Sequence, residues 1–141
     1  MSKKGFTLIE LLIVITIIAI LSAIGLVLYG SFIKSARDAK RQSDLKFIQS
    51  ALEDYHADRL SYPATFTFGV AFLDSGREYM KEVPKDPQPS QSYSYVPSGC
   101  TDSVCTGYCL YANMEGNPPS SDTDCRDSYP AGGYDYGVTR P

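Results

Sequence analysis

The chain has 141 residues, which is enough for one membrane helix and one small domain but too few for two separate hydrophobic cores. Its net charge of −3 is unevenly distributed: residues 60–141 carry ten acidic and five basic side chains, whereas residues 34–59 carry five and six. An acidic C-terminal region argues against a broad nucleic-acid-binding surface, which requires clustered lysine and arginine, so nucleic acid is not indicated as a partner.

The first predicted element is a long apolar helix over residues 6–33. Its only charged residue is Glu10. A helix needs about 20 apolar residues to cross the hydrocarbon core of a bilayer, so this segment is long enough to span a membrane once. Lys3 and Lys4 precede it, and basic residues beside a single span stay in the cytoplasm, which places the rest of the chain outside the cytoplasmic membrane.

The position of a small residue distinguishes this segment from an ordinary secretory signal. Such a signal has an apolar core of about 7–15 residues followed by a small-residue cleavage site. Here the apolar run is longer, no such site stands out at its end, and Gly5 precedes it instead. A protease that cuts after Gly5 would remove residues 1–5 and leave the helix on the mature chain.

Residues 3–10 read KKGFTLIE, and this string resembles the N-terminal signal of type IV pilins and type II secretion pseudopilins. The resemblance implies that prepilin peptidase removes the leader by cutting between Gly5 and Phe6, and that it methylates the new amino terminus of Phe6. It also implies a structural subunit and not an enzyme. Such a subunit is stored in the lipid bilayer and is assembled by a membrane platform into a helical polymer of identical chains, at the cell surface or in the periplasm.

Glu10 has two interpretations. It is either a tolerated acid near a helix end or a functional group, because a carboxylate in an apolar membrane segment is costly and needs a partner. The resemblance favours the second interpretation, in which the α-amine created at Phe6 by cleavage pairs with Glu10 of a neighbouring subunit. Glu10 is therefore predicted to set the register of filament assembly.

Residues 34–60 are predicted to continue the helix as an amphipathic segment. Its apolar residues recur at helical spacing and predict a buried face, formed by Leu45, Ile48, Ala51, Leu52 and Tyr55. The charged residues are expected on the remaining, exposed surface, and these are Arg37, Lys40, Arg41, Asp44, Asp54 and Asp58. Pro63 ends the helix because proline disfavours helical conformation in the preceding residue.

Residues 61–90 are predicted to form a connector loop that contains a short helix between Val70 and Met80. The connector includes the string VPKDP at residues 83–87, followed by Tyr-Ser-Tyr at residues 93–95. This order is similar to that of the major pseudopilin, in which it joins the long helix to the first strand.

The remaining residues, 91–141, are predicted to form a small antiparallel sheet. Alternating and apolar patterns indicate strands at 91–96, 107–115 and 134–138, with a turn at 97–99. One face of the sheet is expected to pack on the amphipathic helix. The predicted class is therefore α+β, a type IV pilin-like arrangement in which a long N-terminal helix packs against a small antiparallel sheet.

The four cysteines are predicted to form disulfides and not a zinc site. They lie in the region expected outside the cytoplasm, where disulfides persist, and their spacing lacks the tight pair typical of zinc ligands. Four cysteines allow three pairings. We hypothesise that Cys109–Cys125 attaches the long loop 116–133 to a strand and that Cys100–Cys105 closes the hairpin turn.

Three acidic residues after the second predicted strand are candidate calcium ligands: Glu115, Asp122 and Asp124. Calcium is bound by carboxylate and carbonyl oxygens of such loops. The resemblance implies this site, since the major pseudopilin family binds calcium in the equivalent loop. The alternative is that no cofactor is present, that these are solvated loop acids, and that the disulfide holds the loop.

No catalytic pattern accompanies these features. The sequence has no histidine near a serine or cysteine of the C-terminal region, no glycine-rich phosphate loop and no His-Glu zinc cluster. The predicted function is the structural subunit of a type IV pilus or of a type II secretion pseudopilus. One alternative is a single-pass membrane-anchored enzyme or binding domain with an uncut N-terminus. Another is a ligand-binding tip subunit or DNA-uptake pilin, which would need a basic or aromatic surface strip.

Overall fold

The computed structural model describes residues 5–122, 125, 130 and 132–140, and its fold is of the predicted α+β class. Within these residues the elements are α1 (Leu8–Arg59), β1 (Phe72–Asp74), β2 (Arg77–Met80), β3 (Ser94–Ser98), β4 (Gly107–Ala112) and β5 (Tyr136–Thr139). The chain divides into two compact units, an N-terminal unit (Met1–Ser35) and a C-terminal unit (Ala36–Pro141), and α1 contributes residues to both.

Within the N-terminal unit, α1 is apolar on all sides. Its large apolar side chains from Leu8 to Phe32 are exposed, and Leu26 and Val27 retain 79% and 81% of their accessible surface. The helix is long and apolar enough to cross a membrane, and its most apolar window has a mean hydropathy of 3.1. An exposed apolar surface of this extent requires lipid or another apolar surface to cover it.

Within the C-terminal unit, α1 is amphipathic, as its apolar spacing predicts. Leu45, Ile48 and Leu52 are fully buried and belong to one core with side chains of the sheet. The helix ends where Leu60 adopts a left-handed conformation with φ of 55°, and the Leu60 N–H donates to the carbonyl oxygen of His56 at 2.8 Å. This hydrogen bond satisfies one of the carbonyl groups that a helix end leaves without a partner.

The strand β4 is the centre of a three-stranded antiparallel sheet with the order β3-β4-β5. All six of its residues are buried, and successive side chains point to opposite faces. The side chains that join the core formed with α1 are Tyr108, Leu110 and Ala112. The side chains of Cys109 and Tyr111 point to the opposite face and cluster with Cys125. The sheet is therefore covered on both faces at its central strand.

The predicted short helix between Val70 and Met80 is wrong, because this segment forms an antiparallel hairpin of β1 and β2. The turn consists of Ser75 and Gly76, and both have positive φ, of 48° and 84°. Two such residues match the backbone twist of the flanking strands, which makes this turn type the preferred one for short hairpins. The Ser-Gly dipeptide in the sequence was the signal for this turn.

The other elements differ from prediction at their ends. The strand β3 begins at Ser94 and includes Pro97, a residue that the sequence pattern assigns to the turn. Proline is tolerated here because β3 is an edge strand. The helix begins at Leu8 and not at Phe6, β4 ends at Ala112 and not at residue 115, and β5 runs two residues later than its predicted start.

Two disulfides join the four cysteines, in the hypothesised pairing. Cys109 of β4 is bonded to Cys125, and Cys100 is bonded to Cys105 in the turn between β3 and β4. Cys125 is fully buried, and its carbonyl oxygen accepts a hydrogen bond of 3.2 Å from the Tyr111 hydroxyl. Cys125 is thus attached to the central strand by a covalent bond and a hydrogen bond.

We expect the longer disulfide to contribute more to the free energy of unfolding. The bonded residues are 16 positions apart in Cys109–Cys125 and 5 apart in Cys100–Cys105. Loop-closure entropy predicts a contribution of about 3 kcal/mol for Cys109–Cys125 and about 2 kcal/mol for Cys100–Cys105. Urea unfolding of the Cys109→Ala/Cys125→Ala and Cys100→Ala/Cys105→Ala chains measures both. The reverse order would contradict the assignment of the larger stabilisation to the longer loop.

Candidate processing and assembly site

Gly5, Phe6 and Thr7 form a non-helical, exposed segment ahead of α1. Phe6 is 85% exposed. A Cβ atom added at Gly5 would meet no atom within 4 Å, and the backbone of Gly5 does not have positive φ. The described part of the chain therefore does not require glycine at this position. A requirement for glycine would come from a molecule that binds the segment from outside.

Thr7 and Glu10 together cap the start of α1. The Thr7 backbone N–H and hydroxyl both donate to Oε2 of Glu10, at 2.9 and 2.7 Å, and the Glu10 N–H donates to the Thr7 hydroxyl at 3.3 Å. This reciprocal arrangement is a capping box, which satisfies backbone N–H groups that lack a partner within the helix. This role differs from the one predicted for Glu10, although a threonine followed three residues later by a glutamate before an apolar run is the signature of a capping box.

Arg41 is fully buried, which corrects its predicted position on the exposed surface. Its Nε and Nη2 atoms donate to the two carboxylate oxygens of Asp86 at 2.8 and 2.9 Å, and Nη1 donates to Asp38 at 2.7 Å and to Glu115 at 2.9 Å. The hydrogen bonds to Asp86, with those to Glu115 and Asp38, raise the pKa of Arg41 above its ordinary value. A charge is tolerated in a core only when it is paired in this way.

Asp44 is also buried, contrary to its predicted exposure. It accepts a hydrogen bond of 2.6 Å from Nζ of Lys40, one helical turn earlier, and one of 2.9 Å from the hydroxyl of the buried Tyr93. Burial, together with the bond to Asp44, raises the pKa of Tyr93, so this hydroxyl stays protonated and remains a donor.

Glu115 lies against two arginines. Arg37 donates from Nε and Nη2 to its two carboxylate oxygens, and Arg41 donates to one of them. The hydrogen bonds from Arg37, followed by those from Arg41, lower the pKa of Glu115 to about 2. Asp38 accepts hydrogen bonds from the backbone N–H groups of Glu115 and Gly116, so the loop after β4 is attached to α1 through both main chain and side chain.

Two of the three candidate calcium ligands, Glu115 and Asp122, are described, and both carboxylates already accept hydrogen bonds. The carboxylate of Glu115 is occupied by guanidinium groups, and a second cation there would be repelled. Asp122 accepts a hydrogen bond of 2.8 Å from the backbone N–H of Thr139 in β5. Asp124 lies outside the described residues. Across the part of the chain that the structure describes, no group of three or more His, Cys, Asp or Glu residues is arranged to hold a metal.

Comparison with known proteins identifies similarity at the N-terminus and over most of the chain. Residues 1–26 match the family described as the prokaryotic N-terminal methylation motif. The type II secretion system core protein G of Pseudomonas aeruginosa is 31% identical over 108 residues, which cover 69% of this chain and 75% of that protein. The fimbrial protein EcpC of Eikenella corrodens is 39% identical over 82 residues, which cover 57% of this chain and 53% of that protein. No solved structure shows a significant match.

Because the pKa of Glu115 is lowered on folding, we expect this residue to make stability depend on pH in the acid range. Its contribution is fully present above the ordinary pKa of 4.5 and is lost as the pH falls towards about 2. Urea unfolding at pH 7, 5, 3.5 and 2.5 measures this loss. Glu115→Gln should be less stable than the natural chain at pH 7, and the difference should shrink below pH 4.5.

Asp102→Asn, in the exposed turn between β3 and β4, serves as the control for removal of one carboxylate. A difference between Glu115→Gln and the natural chain that stays constant from pH 7 to pH 2.5 would contradict the assigned pairing with the arginines.

Proposed function

Because the chain belongs to the type IV pilin and type II secretion pseudopilin family, we propose that it is a structural subunit of an extracytoplasmic helical filament. The subunit is stored in the cytoplasmic membrane as a single-pass protein with its C-terminal unit outside. Prepilin peptidase cuts between Gly5 and Phe6, Phe6 is N-methylated, and an assembly platform then adds the mature chain to a homopolymer. The observation that carries this proposal is an uncovered apolar helix that begins within the matched N-terminal methylation motif.

The apolar surface of α1 in the N-terminal unit supports both states of the subunit. Its large apolar side chains are exposed all around the helix. Lipid covers this surface before assembly. The same surface packs against the corresponding helices of other copies in the filament, so that apolar burial is retained when the chain leaves the bilayer.

Glu10 is the group that selects one packing register among these apolar helices. Both hydrogen bonds from Thr7 go to Oε2 of Glu10, so among the described residues Oε1 receives no donor and can accept one from a neighbour. Cleavage after Gly5 creates an α-ammonium at Phe6, and a neighbouring subunit can present this group to Glu10. In an apolar surrounding, both charges are costly when unpaired, so the register that pairs them is favoured over slipped ones.

The filament is a type IV pilus or a type II secretion pseudopilus. The match to a secretion system core protein covers more of this chain, and the match to a fimbrial protein has the higher identity. Deletion of the gene separates the two. Loss of surface fibres with normal protein export identifies a pilus subunit, and loss of export identifies a pseudopilus subunit.

The first test of this proposal is the position of cleavage. We expect mass spectrometry of assembled material to find Phe6 at the N-terminus with one added methyl group. Gly5→Val should leave uncut chain in the membrane, because a branched side chain obstructs the peptidase while nothing in the described fold opposes it. Ser2→Val, within the same leader, should be processed normally. An intact Met1 in assembled material would support the membrane-anchored enzyme or binding domain instead.

The second test separates the capping role of Glu10 from its proposed pairing with a neighbour. Glu10→Gln keeps a side chain that can complete the capping box but removes the charge, and Glu10→Ala removes both. Thr7→Ala removes the two hydrogen bonds of the hydroxyl from the cap and keeps the charge. We expect both Glu10 variants to be inserted and cleaved but to lose filaments, and we expect Thr7→Ala to retain filaments.

Filament yield is measured by shearing and immunoblotting, after cleavage of each variant has been verified. If Glu10→Gln assembles normally while Thr7→Ala and Glu10→Ala fail, then capping of the helix explains Glu10 and the pairing is refuted.

A further inference from the structure

We propose that the guanidinium of Arg41 is the cation that holds the connector and the loop after β4 against α1, and that this attachment therefore does not require a divalent metal ion. Three segments that are far apart in sequence meet at this group: α1 through Asp38, the connector through Asp86, and the loop after β4 through Glu115. All of these contacts lie within one chain, so they do not involve the filament function.

The geometry around Arg41 uses the guanidinium as a planar, multi-branched donor. The Nε–Nη2 edge binds Asp86 through two hydrogen bonds, of 2.8 and 2.9 Å, and Nη1 reaches both Asp38 and Glu115. A lysine ammonium is a point charge and cannot reproduce this fork. The three carboxylates therefore require the branched donor geometry of arginine as well as its positive charge.

All six carboxylate oxygens of Asp38, Asp86 and Glu115 accept hydrogen bonds from N–H groups. Both oxygens of Asp86 are taken by Arg41, and one of them also accepts the backbone N–H of Gln88 at 2.8 Å. Glu115 receives Arg37 and Arg41 on its two oxygens. Asp38 receives Arg41 on one oxygen and the Gly116 N–H on the other.

This saturation of oxygens is what argues against a bound metal ion at the same place. Calcium requires six to eight oxygen ligands at about 2.3–2.6 Å, and each oxygen of this cluster is already committed to a donor. A divalent ion would also lie beside the guanidinium groups of Arg37 and Arg41, and like charges at such a distance repel strongly in a buried site. The cluster therefore fits an internal cation and does not fit calcium.

Burial makes the pairing obligatory. The side chains of Arg41 and Asp86 are both completely inaccessible to solvent, and that of Glu115 is 11% exposed. Removal of the guanidinium would leave Asp86 charged and buried without its main partner, which is strongly destabilising. The attachment of the connector and of the loop after β4 to α1 is thus expected to depend on this single side chain.

The first arm of the test uses the natural full chain in detergent micelles. Thermal unfolding is followed by the near-ultraviolet circular dichroism of the tyrosines, in 5 mM EDTA and in 5 mM CaCl2. We expect the two midpoints to agree within about 1 °C. A midpoint more than about 5 °C lower in EDTA, restored by added calcium, would overturn the proposal and would reinstate a metal-dependent loop.

The second arm compares Arg41→Met with Lys46→Met, an exposed lysine of the same helix that serves as the matched control. We expect Arg41→Met to lower the midpoint in EDTA by more than about 10 °C and Lys46→Met to change it by less than about 2 °C. Equal midpoints of the two variants would refute the role of Arg41.

Two milder variants cover the case in which Arg41→Met does not fold. Arg41→Lys keeps the charge without the fork, and Asp86→Asn keeps the shape of the partner without its charge. We expect each to lower the midpoint by at least about 5 °C. Midpoints within about 1 °C of the natural chain for both variants would also refute the proposal.

Discussion

The buried guanidinium of Arg41 is the constraint on which the C-terminal unit depends. The strands of this unit are three to six residues long, and the connector and the loop after β4 are both joined to α1 at this group, through Asp86 and Glu115. Apolar packing is non-directional and would tolerate several placements of these segments against α1. A charge inside a core is different, because only placements that bring carboxylates to it are accessible. The network thereby selects one register.

The network can select one register without adding much to the free energy of unfolding. Replacing a buried ion pair by well-packed apolar residues of similar volume is often neutral or stabilising, whereas removing one partner alone is costly. The network around Arg41 is consequently best understood as a device of specificity. A docking that leaves Arg41 unpaired is costly, so the network raises the free energy of alternative dockings, while Leu45, Ile48 and Leu52 supply the apolar burial.

The sequence predicts features that depend on local pattern and misses those that depend on distant partners. The apolar run, the buried stripe of α1 and the strand around Leu110 follow from periodicity, which is a local property. The burial of Arg41 cannot be predicted in this way, because its partners Asp86 and Glu115 lie 45 and 74 residues further along the chain. A helix surface that carries charges resembles a solvated face until those partners are known.

Two other differences had local signals that a competing pattern obscured. The Ser75-Gly76 turn indicates a hairpin, but the surrounding residues also suit a short helix. The spacing of Thr7 and Glu10 indicates a capping box. However, a carboxylate beside lipid is energetically costly, which favours the interpretation that Glu10 pairs with a group on another chain. In both cases a short motif competes with a second interpretation of the same stretch, and periodicity alone does not choose between them.

Pro97 in the edge strand β3 has a consequence for chains that are packed side by side. An uncovered strand edge is a template on which the backbone of another molecule can add, and such additions lead to β-aggregates. Proline cannot donate a backbone hydrogen bond, so it interrupts the row of donors on β3, and the strand on the other edge, β5, is only four residues long. Both edges of the sheet are thus poor substrates for strand addition, which protects a crowded array of these chains from amyloid-like association through their sheets.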